Sequence, residues 1–220
     1  MRNERMQRIR EMLKKIPGLS KREVLLLLGV WAVHFLAYFG ARALAVPAEP
    51  FDIALPIDTR IPFIPWTVLI YWGGVLLWIV NYIAGVRYDK GNGGRFIAAH
   101  FTGVAVSFFF FVFFPTEIVR PEITGYSFCE WILKLTYQVD AGNNCFPSMH
   151  CFFSWLSWIG VRRNRNIPWV YQVISLLIAV SICVSTLTVK QHYLVDVLAG
   201  IVLAEISYLL ASKLDRAIYG

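Results

Sequence analysis

Two histidines and an aspartate have residue types and spacings that suit phosphate chemistry. His192 and Asp196 stand four residues apart in a segment with helical character, so their side chains share one helix face. A carboxylate there can accept the Nδ1–H of the imidazole, fix its tautomer and leave Nε2 free to attack. His150 follows Pro147 and Ser148, a pattern typical of the first turn of a helix. One imidazole could attack phosphorus while the other protonates the departing alkoxide.

Further polar residues could hold the phosphate itself. Arg120 supplies a planar fork that matches phosphate oxygens, and Lys190 supplies a compact positive charge. Ser148 can donate a hydrogen bond, and the unpaired N–H groups of the helix start beside it can bind an anion. Two histidines together with these phosphate-binding groups are typical of in-line phosphoryl transfer. The spacings of these residues match no zinc signature, so we expect neither a metal nor a cofactor.

The chain that must position these residues has the composition of a membrane protein. Of its 220 residues, 57% are hydrophobic, which argues against a water-soluble helical bundle. Five apolar blocks approach the ~20 residues that cross a bilayer core, where helices satisfy their own backbone hydrogen bonds. With a shorter sixth block, they predict an all-α integral membrane protein with six transmembrane helices. The six blocks are Val24–Val46, Trp66–Val86, Phe96–Phe114, Ser148–Val161, Pro168–Val189 and Tyr193–Leu210.

The distribution of basic residues predicts the orientation in the membrane. Alternate loops hold 16 of the 21 Lys and Arg residues, and the positive-inside rule places those loops in the cytoplasm. Both termini are then cytoplasmic, as an even number of spans requires, and the histidines face the extracytoplasmic side. The net charge of +7 therefore indicates topology, and we expect no nucleic-acid partner. The basic residues in these loops are eight within Arg2–Arg22, then Arg87, Lys90, Arg95, Arg162, Arg163, Arg165, Lys213 and Arg216.

The chain divides into a basic cytoplasmic segment, residues 1–22, and a six-helix membrane domain, residues 23–220. The first segment reads equally well as an amphipathic helix on the anionic leaflet and as a solvated basic tail. A signal-peptide cleavage site at Ala43–Ala45 is disfavoured, because the polar stretch before the apolar run is long for such a peptide. The outer loop, residues 115–147, carries motif residues and a helix-like stretch, Phe128–Tyr137, that could act as a lid.

Several polar residues do not belong to the candidate catalytic and phosphate-binding groups. We expect Glu205, within the sixth span, to be protonated or to bond a buried histidine or tyrosine. His34 and His100 are expected to be structural and without partners, and Asp58 and Arg60 either shape the entrance or belong to a solvated loop. Whether Cys129 and Cys145 form a disulfide in the outer loop is left open.

The three motifs resemble those of the type 2 phosphatidic acid phosphatase superfamily of membrane lipid phosphatases. The family pattern is K-x6-R-P, then P-S-G-H, then S-R-x5-H-x3-D; this chain has R-P, F-P-S-M-H and S-T-x5-H-x3-D in the same order. The resemblance implies a six-helix membrane fold and a phosphohistidine intermediate. It assigns the nucleophile to His192, its orientation to Asp196, the general acid to His150, and phosphate binding to Arg120 and Ser148.

Three positions depart from the family pattern. Phe113 stands where the first motif has lysine, Met149 replaces the glycine, and Thr186 replaces the arginine of the third motif. Two phosphate-binding cations are therefore absent, and we expect Lys190 to compensate in part. A bulky residue at the glycine position resembles the inositol phosphorylceramide synthase branch, whose members transfer a phosphoryl head group to an alcohol.

Together these features predict an enzyme of the plasma membrane that needs no metal. The predicted reaction is hydrolysis of a lipid phosphate monoester, or of a polyprenyl or lipid pyrophosphate, at the extracytoplasmic face. The alternative is phosphoryl transfer to an alcohol acceptor by the same histidines. An anion transporter is an alternative from another class, but it gives the His192–Asp196 pair no purpose. The lipid and the oligomeric state are left open.

Overall fold

The computed structural model describes residues 18–44, 49–88, 94–140, 142–162 and 164–219. The predicted N-terminal segment falls almost wholly outside these residues. Within them the regular structure is helical, apart from an isolated bridge between Phe51 and Thr116, and it includes two short 3₁₀ turns, Asp58–Arg60 and Pro65–Thr67. The α-helices are α1 Lys21–Leu44, α2 Val68–Tyr88, α3 Gly94–Phe113, α4 Phe128–Val139, α5 Met149–Val161, α6 Trp169–Thr188 and α7 Leu194–Tyr219.

Five of these helices, α1, α2, α3, α6 and α7, are long and apolar enough to cross a membrane. Helix α5 has only 13 residues, but it lies between the longer helices and packs against α2, α6 and α7. Most of its side chains are buried by protein, including two serines, Ser154 and Ser157. The prediction of an all-α membrane protein is confirmed, whereas the number of six spans stays a prediction.

Two glycines let the other helices approach α5 closely. A Cβ atom on Gly103 of α3 would lie 2.0 Å from the Phe152 ring, so only glycine fits beneath that ring. A Cβ atom on Gly200 of α7 would lie 2.4 Å from the Ser148 carbonyl oxygen. Because α5 begins at Met149, Gly200 brings the start of α7 against the start of α5, and the two histidine motifs meet there.

Two ion pairs between helices lie at the end of the bundle opposite the histidine motifs. At one end, Arg87 at the end of α2 pairs with Glu23 of α1 at 3.0 Å. At the same end, Arg95 at the start of α3 pairs with Asp215 of α7 at 3.5 Å. The histidine motifs lie at the opposite end, where α5 and α7 begin. The orientation in the membrane stays a prediction.

The outer loop contains one helix, α4, close to the stretch that the sequence indicated. Ser127 and Glu130 form a capping box at its start, which satisfies two backbone N–H groups that would otherwise lack partners. Leu133 faces the interior, while Phe128 and Trp131 are exposed. Its C-cap, Asp140, brings a carboxylate to the candidate site.

Candidate active site

A cavity of about 350 Å³ lies at the motif-bearing end of the bundle. Its walls come from α1, α2, the end of α4, the start of α5 and the turn between α6 and α7. Aromatic side chains form much of the lining, and the chemically active groups project among them. These groups are His150, His192, Arg120, Asp140, Tyr38 and Tyr71.

His192 and Asp196 form the pair that their spacing predicts. The Nδ1 atom of His192 lies 3.4 Å from Oδ2 of Asp196, and both side chains are almost fully buried. The same Oδ2 accepts the backbone N–H of Tyr193 at 2.8 Å, which fixes the carboxylate at the start of α7. Negative charge is favourable at a helix N-terminus. With Nδ1 engaged, Nε2 is the nitrogen of His192 that remains for the cavity.

His150 lies opposite His192, with 6.2 Å between the ring centroids. Its ring stacks on Tyr71 at 4.1 Å, and its Nδ1 lies 3.2 Å from the Tyr71 hydroxyl. Both imidazoles line the cavity, so one phosphoryl group placed there can contact both. This is the arrangement that attack by one ring and protonation by the other require.

Arg120 is the one Lys or Arg among the described residues that line the cavity. Its guanidinium donates to the carbonyl oxygens of Tyr137 and Asp140 and to the side-chain oxygen of Gln191. It also lies over the Tyr137 ring, 4.5 Å from its centre. A guanidinium carries five N–H donors, so donors remain for a phosphate oxygen. The contacts hold this charge at the wall of the cavity.

Ser148 and Lys190, the other predicted phosphate ligands, do not line the cavity. Ser148 is fully buried and caps α5: its Oγ accepts the backbone N–H of Cys151 at 3.3 Å. Its own N–H donates to the carbonyl oxygen of Asp196 at 3.0 Å. Ser148 therefore joins the starts of α5 and α7, and the helix start that the sequence predicted is present.

The Lys190 ammonium lies on the loop before α2. It donates to the carbonyl oxygens of Asp58 at 3.2 Å and Ile61 at 2.6 Å. The backbone of Lys190 is left-handed, with φ of 54°, a conformation that a non-glycine residue rarely adopts. Gln191, the next residue, takes the place beside Arg120.

The three departures from the family pattern occupy different surroundings. Phe113 is exposed at the end of α3, and Thr186 is fully buried away from the cavity. The Thr186 carbonyl oxygen accepts the backbone N–H groups of Gln191 and His192, which shapes the turn that carries the nucleophile. Met149 lines the cavity beside His150, where it makes the wall bulkier and more apolar than glycine would.

The most important group that the motifs did not indicate is Asp140. Its carboxylate accepts hydrogen bonds from the hydroxyl groups of Tyr38 at 2.6 Å and Tyr71 at 2.7 Å. Tyr71 and Tyr38 lie within apolar spans, where the sequence gives no reason to expect more of a tyrosine than packing against its neighbours. The one local signal for Asp140 was a carboxylate at the end of a short amphipathic helix. Gln191 was also missed, although it stands beside a predicted site residue.

The electrostatics of the site follow from these contacts. Partial burial alone would raise the pKa of Asp140, but the nearby His150 and the two tyrosine hydroxyls bring its pKa below the ordinary value. Burial would lower the pKa of His192, but the hydrogen bond and charge of Asp196 raise it above the ordinary value. The site therefore contains an ionised Asp140 and a His192 imidazole of increased basicity.

Several other expectations need correction. His100 has a partner, because its Nδ1 lies 3.0 Å from the Tyr82 hydroxyl in the packed interior. His34 lines the cavity wall and meets the Phe153 ring edge-on at 4.5 Å. Glu205 accepts the indole N–H of Trp155 at 2.8 Å and forms a two-pronged ion pair with Arg162, at 2.5 and 2.7 Å, because the end of α5 faces that turn of α7.

The outer loop before α2 is not simply solvated. Asp58 is buried, whereas Arg60 is exposed. The Asp58 carboxylate accepts the backbone N–H of Leu194, the first residue of α7, at 2.9 Å. All four cysteines are free in the structure, including Cys129 and Cys145.

Comparison with protein-family profiles identifies the superfamily. The sequence profile of the PAP2 superfamily matches residues 65–210, which is more than half of the chain and includes all three motifs. This confirms the resemblance that the motifs indicated at the level of the superfamily. No curated protein matches the sequence. Among the described residues, no cluster of three or more His, Cys, Asp or Glu side chains could hold a metal ion.

Proposed function

Because the chain belongs to the PAP2 superfamily, we propose that it is a membrane lipid phosphatase that works through a phosphohistidine on His192. The observation that carries the proposal is the pairing of His192 with Asp196, opposite His150 and beside Arg120, in one cavity. Each group has a separate task in phosphoryl transfer. The lining supports a lipid substrate, because aromatic walls suit an apolar tail beside the polar end.

The first half-reaction forms the phosphoenzyme. The Nε2 atom of His192 attacks phosphorus, a nitrogen–phosphorus bond forms, and the bond from phosphorus to the leaving oxygen breaks. The His150 imidazolium gives its proton to that oxygen, so the product leaves as an alcohol or a lipid phosphate. Arg120 offsets the negative charge on the phosphoryl oxygens.

The second half-reaction regenerates the enzyme. Neutral His150 removes a proton from water as the water oxygen attacks phosphorus, and the nitrogen–phosphorus bond breaks. Inorganic phosphate leaves, and His150 is again protonated for the next cycle. Asp196 stabilises the positive charge that His192 carries while it is phosphorylated.

The proposed location of this chemistry is the extracytoplasmic face of the plasma membrane. The site lies at the end of the bundle opposite Arg87 and Arg95, and the positive-inside rule assigns those arginines to the cytoplasm. The substrate would then be a lipid phosphate or pyrophosphate of the outer leaflet. No step calls for a metal, and turnover is expected to continue in the presence of a chelator.

A second candidate function is phosphoryl transfer from a lipid to an alcohol acceptor. Met149 favours it, because this bulky apolar side chain lines the cavity beside the proton-transferring His150. Such a wall reduces the space for water near the phosphohistidine. The two half-reactions stay the same, except that an alcohol oxygen replaces the water oxygen in the second.

The test is turnover by the purified protein in mixed lipid micelles. Phosphatidic acid, phosphatidylglycerol phosphate and a polyprenyl pyrophosphate would be supplied, with and without a polyol acceptor. Phosphate release without an acceptor supports hydrolysis; formation of a phosphodiester or a transferred monoester supports the second candidate. His192→Ala and His150→Ala should abolish or greatly reduce turnover, whereas His100→Ala, at a histidine outside the cavity, should retain it. Normal turnover in His192→Ala would overturn the proposal.

A further inference from the structure

Asp140 is a carboxylate in the site to which the proposed mechanism gives no task. It is the one carboxylate among the described residues that line the cavity. A negative charge beside a bound phosphate is unfavourable. We therefore expect Asp140 to have a role in the reaction that offsets this repulsion. Both of its oxygens are held, one by the Tyr38 hydroxyl and the other by the Tyr71 hydroxyl.

Tyr71 joins Asp140 to His150. A phenolic hydroxyl has one proton to donate. At 2.7 Å from the ionised Asp140 carboxylate, the Tyr71 hydroxyl donates its one hydrogen bond to Asp140. Towards the Nδ1 atom of His150, at 3.2 Å, the same oxygen can then only accept. Nδ1 must therefore carry the hydrogen in this contact, and Nε2 becomes the atom of His150 that gains and loses a proton.

The charges around His150 divide into two groups. Burial of the ring disfavours its protonated form most strongly; among the charges, Asp140 favours the protonated ring, whereas His192 and His34 oppose it when they are charged. Arg120, in the same cavity wall, also opposes it. Asp140 is the one carboxylate that acts on His150 from the cavity lining, and Tyr71 is the contact between them.

We infer that Tyr71 and Asp140 are positioning residues for His150, as Asp196 is for His192. This inference rests on the proposed phosphoryl-transfer function. Tyr71 accepts the Nδ1–H of His150, stacks on its ring and relays the negative charge of Asp140 to it. The proton on Nε2 is then aimed at the leaving oxygen. When the oxygen–phosphorus bond breaks, that proton passes to oxygen, and in the second half-reaction Nε2 takes it back from water or alcohol.

The test exploits the different proton demands of two leaving groups. An alkyl lipid phosphate releases an alkoxide that needs a proton, whereas p-nitrophenyl phosphate releases a phenolate that does not. Tyr71→Phe and Asp140→Asn are therefore expected to lower kcat/KM on the alkyl ester by about 10- to 100-fold, the loss that follows removal of hydrogen-bond partners that orient a metal-bound histidine. On the aryl ester the loss should be small. Asp196→Asn, which disturbs the nucleophile, should lower both rates.

Tyr82→Phe is the matched control. Tyr82 is also a buried tyrosine whose hydroxyl contacts a histidine Nδ1, that of His100 at 3.0 Å, but the pair lies outside the cavity. It should leave the ratio of alkyl to aryl turnover unchanged. Equal losses on both esters in Tyr71→Phe, or no loss on either, would overturn the inference.

A spectroscopic measurement keeps this inference separate from the proposed function. In the ¹⁵N spectrum of histidine-labelled protein, neutral His150 should show protonated Nδ1, and Tyr71→Phe should shift its tautomer balance. Neutral His150 protonated at Nε2 in the unaltered protein would overturn the inference even if turnover is normal. Absence of turnover with the expected tautomer would instead contradict the proposed function.

Discussion

The carboxylate of Asp58 accepts the backbone N–H of Leu194 at 2.9 Å, across 136 positions of sequence. Its second oxygen accepts the N–H of Leu55 at 2.8 Å, so one side chain joins the outer loop to the first residue of α7. The N–H groups at a helix start have no partner within the helix and favour a negative charge. Asp58 thus serves as a cap supplied from a distant loop. Because Asp196 lies two residues into α7, this contact also positions the partner of His192.

Asp58→Ala is expected to lower both stability and turnover. Loss of the cap should cost about 0.5–2 kcal/mol, the range measured for N-cap side chains. The kcat should fall because His192 and Asp196 lose part of their support. Asp52→Ala is the control, since Asp52 is exposed in the same loop and its carboxylate accepts the backbone N–H of Ala54, which belongs to no helix. Thermal unfolding and turnover of both variants decide the matter: equal effects would show that the contact with Leu194 is unimportant.

Gly200→Ala should separate the two histidine motifs. The added Cβ would lie 2.4 Å from the Ser148 carbonyl oxygen and 3.1 Å from the Cys151 Cβ atom, and both belong to the packed start of α5. Relief of such contacts in a close-packed interior costs about 1–3 kcal/mol. We expect a lower unfolding temperature and a large loss of kcat, because α7 must move away from α5.

Gly73→Ala provides the comparison for this substitution. Gly73 is also a glycine in a membrane-spanning helix, but a Cβ atom there would meet nothing within 4 Å. Alanine has a higher helix propensity than glycine, so stability should be unchanged or slightly greater. Retained activity in Gly200→Ala would contradict the close approach of α5 and α7.

The sequence predicted those parts of the site that depend on local periodicity. His192 and Asp196 meet because residues four apart share a helix face, and a Pro-Ser sequence correctly marked the start of α5. The second span was predicted at Trp66–Val86, and α2 occupies Val68–Tyr88. The difference is a turn of 3₁₀ helix at Pro65–Thr67, which the apolar run does not distinguish from the α-helix.

The contacts that depend on packing between distant helices could not be predicted in this way. Tyr71 and Asp140 are 69 positions apart, and nothing in an apolar span shows that one tyrosine turns towards a carboxylate. Lys190 illustrates a different limit. It is two residues from His192, but its backbone is left-handed, and in such a turn sequence spacing does not determine where a side chain points.

The pH dependence of turnover should report the pairing of His192 with Asp196. Burial alone would lower the His192 pKa, but Asp196 raises it above the ordinary value, and only the neutral ring can attack. The kcat/KM should therefore rise with pH through a midpoint above about 6.5. Asp196→Asn removes the largest of the interactions that raise the His192 pKa, so this midpoint should move to lower pH while the maximum rate falls. An unchanged midpoint would assign the ascending limb to another group.

Stability should respond to the same pair with a defined sign. Because the pKa of His192 is higher in the folded than in the unfolded protein, its contribution is fully present below the unfolded value. It is lost as pH rises through the folded value. The unfolding temperature of the unaltered protein should therefore decrease as pH rises from the unfolded to the folded pKa of His192. This decrease should be absent in Asp196→Asn. A decrease of equal size in both proteins would place its origin elsewhere.

Lys190→Ala distinguishes two roles for this lysine. If Lys190 binds the phosphate, Lys190→Ala should raise KM and weaken inhibition by vanadate, and the unfolding temperature should change little. The contacts of its ammonium with the Asp58 and Ile61 carbonyl oxygens favour the other outcome. We expect a lower unfolding temperature and a lower kcat, with vanadate inhibition nearly unchanged, because the outer loop is released from the turn that carries His192. Lys134→Ala is the control, since Lys134 makes the same kind of contact with Gly125 away from the cavity, and kcat should be retained. A large rise in KM in Lys190→Ala but not in Lys134→Ala would show that Lys190 binds the phosphate.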